Sequence, residues 1–502
     1  MLSSLGMRLR RLERWESNIL KILGMVELAL AAMLAAPAAV AAIYGEDALP
    51  YLLPLPPLIA CGSAQCLFFR RVDNVVPASG VLVIVCGWLV AFAVSLVPFA
   101  MSGFSAVDSV FEAVSGFTTT GASVAPDIDA LPRSLLFWRS LIQWAGGLAV
   151  VLLFVFIVPT MGLGGRAFLN NELSGSGDYN FSMRMNNAAK HFIAIYLLLS
   201  AAEAALLYAC GLGVFDSATA TFSTISTGGM SVRSEGAAGY PFPAQAVLLA
   251  FMFLGGTNFY LHYRALYKRD AMVYVKSREF AWTVAIFAVA SAAVLGVLAG
   301  SEGLGGAGGD AWGVVFMVVS LGTSTGFSVA DHAAWPAAAS AMLLAVTMIG
   351  TMSGSTSGGV KVYRVLIVKS FIGNGIYRMI HPRTIREIKM DGYLVDRESA
   401  LSAVIVLLLF AFTGAAVTLA MLVLEPGMTL MDSVSATGAA LSTSGLGVSD
   451  VDFASLSPAS KMLLSFVMWA GRVELVMALC LFTRSFWNDA ALGMKKAGGG
   501  RR

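Results

Sequence analysis

Unbroken apolar runs, each long enough to cross about 30 Å of hydrocarbon as a helix, set the narrowest limit on what this chain can fold into. Nine are continuous: Ile19–Tyr44, Pro50–Phe69, Ala78–Ala100, Phe137–Val158, Phe192–Gly211, Ala244–Leu261, Ala281–Ala299, Ala400–Leu424 and Met462–Phe482. A tenth, Ala337–Ile372, is apolar at both ends and broken by Ser353-Gly354-Ser355-Thr356-Ser357-Gly358-Gly359. A soluble domain carries about 25% charged residues. Here only 13% of 502 residues are charged and 57% are hydrophobic, too little charge to cover a water-facing surface. A membrane barrel needs alternating strands, and these runs do not alternate. The expected class is an all-α polytopic membrane protein.

Ten crossings place both termini on one side, and the basic residues say which. Most lie in the N-terminal segment (Arg8, Arg10, Arg11, Arg14), in alternate loops (Arg70, Arg71; Arg166, Arg184, Lys190; Arg264 to Arg278; Lys361 to Arg397) and in the tail. The opposite side shows Arg133, Arg139, Arg233 and Lys461 beside acids such as Glu46, Asp127 and Glu302. The positive-inside rule then makes both termini cytoplasmic. A basic Ser3–Ser17 followed by so long an apolar run does not read as a cleavable signal peptide. Cys61, Cys66, Cys86, Cys210 and Cys480 have no ligand spacing and read as small apolar side chains. His191, His262, His332 and His381 show no metal spacing either and read as surface groups. Trp138, Trp144, Trp335 and Trp487 fit an interfacial belt.

Four apolar segments are too short to span: Ala106–Phe117, Phe215–Ile225, Ala311–Leu321 and Met428–Leu441. Each lies between full spans and reads as a re-entrant half-helix. Each runs into a hydroxyl and glycine cluster: TTTGAS (118–123), STGGMS (226–231), TSTGFS (323–328) and STSGLG (442–447). Taking Gly121, Gly228, Gly326 and Gly445 as equivalent, the spacings are 107, 98 and 119 residues. An acid opens every half-helix, Asp108, Asp216, Asp310 and Asp432, where free N–H groups and the dipole favour it. A helix, half-helix, loop, helix unit thus occurs four times, which sets these clusters apart from ordinary polar loops.

A bare monovalent cation in hydrocarbon costs tens of kcal/mol by the Born estimate, so a protein that passes one must replace its water with oxygens. Backbone carbonyls do this without the full charge that would trap the ion. Irregular backbone at membrane depth is tolerated where it lines a watery path or is buried in protein. Four half-helices pointing inward would also aim their negative C-terminal ends at the cavity.

Several stretches resemble the potassium-translocating subunits of the Trk/Ktr/HKT superfamily, closest to the TrkH type. They are FEAVSGFTTTGAS (111–123), STISTGGMS (223–231), GTSTGFS (322–328), SGSTSGGVKVYRVL (353–366) and GRVEL (471–475), with WAGGLAVVLL (144–153), GGTNFYLHYRAL (255–266) and IHP (380–382) in support. The resemblance implies two N-terminal helices (1–72) and four pore repeats (73–165, 166–278, 279–395, 396–487) around one potassium-channel-like pore, then a basic tail (488–502). It implies a potassium filter at Thr119, Thr120, Gly121, Ala122, Ser226, Thr227, Gly228, Gly229, Ser324, Thr325, Gly326, Phe327, Thr443, Ser444, Gly445 and Leu446. Sodium-passing relatives can replace a filter glycine by serine, and four glycines here favour potassium.

The break at Ser353, Gly354, Ser355, Thr356, Ser357, Gly358 and Gly359, followed by Lys361, is a near miss for a phosphate-binding loop. No strand precedes it, and its lysine falls one place late. Taken alone it reads as a plain kink or as a hinge; the resemblance implies an intramembrane gate below the filter. Arg472, midway along the last span, is either ion-paired with a neighbour such as Glu203 or functional. The resemblance implies that its charge lies under the filter and resists cations. Glu112 reads as a structural hydrogen-bonding group.

The expected function is potassium uptake across the cell inner membrane, with potassium as substrate and no cofactor. The resemblance further implies a homodimer in lipid, governed by a cytosolic ring of nucleotide-binding subunits. An enzyme is disfavoured, because no His or Cys is spaced to partner an intramembrane serine and no H-E-x-x-H occurs. A sodium- or proton-coupled carrier is the alternative, although such folds usually show two repeats.

Overall fold

In hydrocarbon each backbone amide must bond within its own segment, so apolar runs of this length become helices. The computed structural model describes residues 14–69, 77–156, 178–301, 310–382, 387–391, 393–449, 451–484 and 487. The features read at Arg8, Arg10, Arg11, Arg70, Arg71, Arg166, Glu302, Arg383 and Arg386, and in the tail from 488, lie outside the described residues.

Among the described residues, seven helices are long and apolar enough to span: Ile19–Tyr44, Leu49–Phe68, Val81–Met101, Arg133–Leu153, Asn187–Ala209, Arg278–Gly300 and Arg397–Leu424. An eighth is a pair, Phe242–Gly255 and Phe259–Tyr267, bent by 98°. The bend has a local cause: Asn258 Oδ1 accepts the Tyr260 N–H at 2.9 Å, which caps a new helix and ends the old one. The remaining two of the ten expected crossings are divided. Ala337–Ile349 and Val362–Ile380 flank an irregular stretch, and Pro458–Val473 is followed by Leu475–Cys480. Lys361 and Glu474, at φ of 81° and 74°, sit at these breaks, where a helix cannot continue. Two short strands, Ile388–Met390 and Tyr393–Val395, pair antiparallel.

The described residues fall into two compact units. The first draws on Met1–Ser109, Pro132–Trp138 and Val476–Arg502. In it, Arg14–Tyr44 packs on Leu55–Phe68 through two small residues: a Cβ on Gly24 would lie 2.9 Å from the Gly62 carbonyl oxygen, and one on Gly62 equally near that of Gly24. Such small-residue contacts let helix backbones close where lipid supplies no hydrophobic drive. Gln65 Nε2 donates to Glu27 Oε1 at 2.9 Å across the same pair. Glu46 accepts the Arg133 and Ser134 N–H groups at 2.8 and 2.9 Å, satisfying free amides at that helix start.

The second unit draws on Val110–Leu131 and Arg139–Leu475. The four half-helices run Ala106–Phe117, Val214–Ile225, Ala311–Gly322 and Leu430–Leu441. Their starts follow the acid pattern. Asp310 accepts the Gly313 N–H at 2.7 Å, Thr429 and Asp432 form a capping box, and Asp216 meets Arg233 at 2.6 Å. Asp216 holds the Arg233 guanidinium pKa above its ordinary value, chiefly through this hydrogen bond, so that charge stays fixed. The half-helices are buried along most of their length, whereas the span Arg397–Leu424 leaves Phe412, Leu419 and Val423 exposed, as hydrocarbon permits.

Candidate functional site: four hydroxyl–glycine loops and the segment beneath them

All four loops repeat one backbone pattern. Thr119, Thr227, Ser324 and Thr443 have φ of 52°, 52°, 56° and 53°, a left-handed conformation unusual for side-chain-bearing residues. Two places on, Gly121, Gly229, Gly326 and Gly445 have φ of 88°, 69°, 85° and 65°. The hydrogen bonds repeat in step. Ser115 carbonyl accepts from the Thr120 and Gly121 N–H groups, Ser223 from Gly228 and Gly229, Ser320 from Thr325 and Gly326, and Ala439 from Ser444 and Gly445. Each loop thus folds back on the carboxyl end of its own half-helix.

This register corrects one sequence expectation. Gly229, not Gly228, is the partner of Gly121, Gly326 and Gly445, because only Gly229 of that pair has the left-handed φ. In-frame with Thr119–Ala122 stand Thr227, Gly228, Gly229 and Met230, while Ser226 caps the half-helix end. With Gly229 in place, Asp216 precedes its glycine by 13 residues, as Asp108 and Asp432 do.

The loops abut in cyclic order. A Cβ built on Gly121 would collide with the Gly228 carbonyl oxygen, one on Gly229 with that of Thr325, one on Gly326 with that of Ser444, and one on Gly445 with that of Thr120. Loop one touches two, two touches three, three touches four, and four touches one. Among the described residues no hydrogen bond is made to the carbonyls of Thr119, Gly121, Thr227, Gly229, Ser324, Gly326, Thr443 or Gly445. The hydroxyl-bearing members of that set are fully buried. Eight acceptors left in this state inside a membrane protein would each cost on the order of 1–3 kcal/mol without a partner. They are groups of the kind that can replace a cation's water.

Side chains brace the loops from behind. Ser115, Ser223 and Ser320 donate their hydroxyls to the carbonyls of Ala122, Met230 and Phe327 at 2.5, 2.9 and 2.6 Å. The fourth loop has Ala439 at that place; Ser435 Oγ instead accepts from Val448 and Ser449 N–H at 2.8 and 3.1 Å. Glu112 is structural, as read from sequence: its carboxylate accepts from Ser123 Oγ (2.6 Å), Val124 N–H (2.8 Å) and Arg139 Nε (3.1 Å). Three braces escaped the sequence reading. Arg139 is buried against Glu112, Gln143 holds loop two, and His332 Nε2 meets the Gly447 carbonyl at 2.7 Å. His332 and His262 are therefore buried and bonded rather than surface groups, because the segments that carry them turn inward between half-helices and spans. Trp138 and Trp335 are likewise packed inside, not in a belt.

The broken stretch lies against the same loops. Gly358 N–H donates to Ser324 Oγ at 2.6 Å, and a Cβ on Gly358 would strike the Ser442 carbonyl. Thr356 Oγ1 donates to the Ile225 carbonyl (3.0 Å) at the end of the second half-helix, and to that of Gly255 (2.9 Å). Ser353 N–H meets Glu279 Oε1 at 2.6 Å, Phe259 N–H bonds the Gly354 carbonyl at 3.0 Å, and Ser355 donates to the Met352 carbonyl at 2.6 Å. Lys361 Nζ bonds the Ser357 carbonyl, and Gly359 packs on Gly350. Arg472 Nη1 donates to the Thr356 carbonyl at 2.7 Å, while its Nε and Nη2 are buried without a partner. Arg472 is thus bonded to this stretch and not to Glu203, and Glu474 pairs instead with Arg364 at 2.6 Å. Four of these eight bonds link main chain to a hydroxyl.

Four short half-helices whose loops meet one another, among helices long enough to span, define a polytopic helical membrane protein. The chain belongs to the TrkH family, described as cation transport protein, whose profile matches residues 81–300 and 304–489. It is 31% identical to the Trk system potassium uptake protein TrkH of Salmonella typhimurium, over 94% of this chain and 99% of that one. To the protein of the same name from Escherichia coli K12 it is 30% identical with the same coverage. The crystal structure of the potassium transporter TrkH from Vibrio parahaemolyticus superposes with a TM-score of 0.84 at 28% identity, covering 94% of this chain and 99% of that one. These relatives are named transporters, in line with the reading against an enzyme.

Proposed function

We propose that this chain takes up potassium across the cell inner membrane through one pore, lined by the main-chain carbonyls of Thr119–Ala122, Thr227–Met230, Ser324–Phe327 and Thr443–Leu446. The observation that carries the proposal is the cyclic abutment of the four loops, with eight carbonyls that accept no hydrogen bond among the described residues. The names of the full-length relatives supply the ion. Four half-helix C-termini add negative potential at the same place. Residues 73–165, 166–278, 279–395 and 396–487 are the four repeats on this reading.

The stretch Ser353–Gly359, with Lys361 and Arg472, is the gate. Its contacts with Ser324 and with Ile225 at a half-helix end support this reading. Opening requires breaking a few hydrogen bonds, each worth about 1 kcal/mol net. Both termini are cytoplasmic by the positive-inside rule. The resemblance supports a homodimer and a cytosolic nucleotide-binding ring that moves the gate.

Radioactive rubidium uptake by the purified protein in liposomes tests the proposal. Potassium should compete strongly with rubidium and sodium weakly, with no dependence on a sodium or proton gradient. Equal competition by sodium, or uptake that follows an imposed gradient of either coupling ion, would overturn it.

A further inference from the structure

Loops one, three and four share an internal tether that loop two lacks. The hydroxyls of Thr118 and Thr120 meet at 2.7 Å, as do those of Thr323 and Thr325, and Ser442 Oγ donates to Ser444 Oγ at 3.4 Å. The matching pair in loop two is Ser226 and Gly228, and glycine brings no hydroxyl. Nor does the backbone require glycine there, since Gly228 is not among the residues with positive φ.

What requires it is a side chain from another repeat. A Cβ on Gly228 would lie 2.5 Å from Cδ, 2.7 Å from Nε2 and 2.8 Å from Oε1 of Gln143. Gln143 comes from the helix Arg133–Phe156 and is fully buried. Its Nε2 donates to the Gly228 carbonyl at 2.7 Å, and its Oε1 accepts the Met230 N–H at 3.1 Å. One amide thus grips loop two on both sides of Gly229. The same nitrogen lies 3.5 Å from where a Cβ on Gly121 would be, so it stands beside loop one as well.

We propose that Gln143 is a positioning residue of the pore: its side-chain amide replaces the missing hydroxyl of loop two and fixes the direction of the Gly228 carbonyl. Gln143 and Gly228 form a matched pair, in which the absence of a side chain at 228 makes room for the amide. A carbonyl that already accepts a hydrogen bond is a weaker ligand for a cation, so the pair makes loop two unlike loops one and three, whereas in loop four the matching Ser444 carbonyl accepts the Leu446 N–H at 2.7 Å. The proposal rests on the reading that these loops line the pore, and it deepens that reading by naming a specificity determinant behind them.

A double-mutant cycle on the full-length protein decides it, using wild type, Gln143→Ala, Gly228→Ser and the double variant. Two readouts are taken: the melting temperature in detergent, and the ratio of rubidium to sodium uptake in liposomes. Each single change should lower the melting temperature and cut the ratio about tenfold, the scale of one or two lost buried hydrogen bonds. In the double variant a serine hydroxyl at 228 can pair with Ser226, as Ser442 pairs with Ser444, and both readouts should return to within about threefold of wild type. Gln143→Leu keeps the bulk but can neither accept the Met230 N–H nor donate to the Gly228 carbonyl, and it should lose selectivity as Gln143→Ala does.

The proposal fails if Gly228→Ser costs the same with Gln143 present or absent, or if Gln143→Leu matches wild type in selectivity. Should Gly228→Ser alone prove too unstable to purify, isolation of the folded double variant is the rescue, and failure to isolate it is the refutation. If wild type carries no rubidium, the pore reading falls, while the melting cycle alone decides the matched pair.

Discussion

Gly121→Ser is expected to remove potassium-selective uptake while leaving the protein inserted and folded. A side chain at φ of 88° is strained by roughly 1–2 kcal/mol. The larger effect is steric, because the new Cβ would collide with the Gly228 carbonyl oxygen in the neighbouring loop. Neither loop can retreat far: Ser115 and Ser223 brace both from behind. On the proposed pore reading, the Gly228 carbonyl that moves lies between the Thr227 and Gly229 carbonyls, whose spacing is what would distinguish potassium from a smaller ion. A displacement costing about 1.4 kcal/mol or more corresponds to at least a tenfold fall in the potassium-over-sodium ratio. Growth of a potassium-uptake-deficient strain on low potassium should fail with Gly121→Ser. It should persist with Gly296→Ser, since a Cβ on Gly296 meets nothing within 4 Å. Wild-type preference for potassium in the Gly121→Ser protein would contradict the pore assignment.

Arg472→Ala is expected to raise cation flux. Two effects add. The guanidinium is buried and only one of its nitrogens has a partner, so its charge is poorly screened. A unit charge about 8 Å from a permeating cation, at an effective dielectric of about 20, opposes passage by about 2 kcal/mol, or roughly thirtyfold. The change also frees the Thr356 carbonyl, one of the anchors of the intramembrane stretch. Rubidium flux through liposomes should rise about thirtyfold or more in Arg472→Ala and stay low in Arg472→Lys, which keeps the charge. Flux that is unchanged or reduced in a folded Arg472→Ala protein would show that the residue is only a structural hydrogen-bond donor.

Much of this architecture is legible in the sequence because the membrane leaves few alternatives. The half-helix expected at Ala106–Phe117 is observed at those bounds, and the one expected at Phe215–Ile225 begins one residue earlier. Length, apolarity and an opening aspartate suffice to mark such elements, since short apolar runs between spans have few other fates. The register of loop two was not legible. Gly228 and Gly229 are adjacent and chemically identical, and only the backbone torsion tells which one takes the left-handed place.

Gln143 and His332 escaped for a related reason. Their partners lie 85 and 115 residues away, and a lone polar residue carries no address for such a contact. One signal for Gln143 was nonetheless present. Loop two alone lacks a hydroxyl at the position of Thr120, Thr325 and Ser444, which calls for a compensating group elsewhere. The interruption of the tenth run was visible as a Gly/Ser cluster, but its contacts with Ser324, Ile225 and Arg472 required the fold.

The most direct measurement is anomalous X-ray scattering from crystals of this protein grown in rubidium. The account predicts rubidium density on the axis enclosed by the carbonyls of Thr119, Thr227, Ser324 and Thr443 and their following glycines, and its loss when sodium replaces rubidium. Density elsewhere, with none between the four loops, would show that these main-chain oxygens do not stand in for water around the ion.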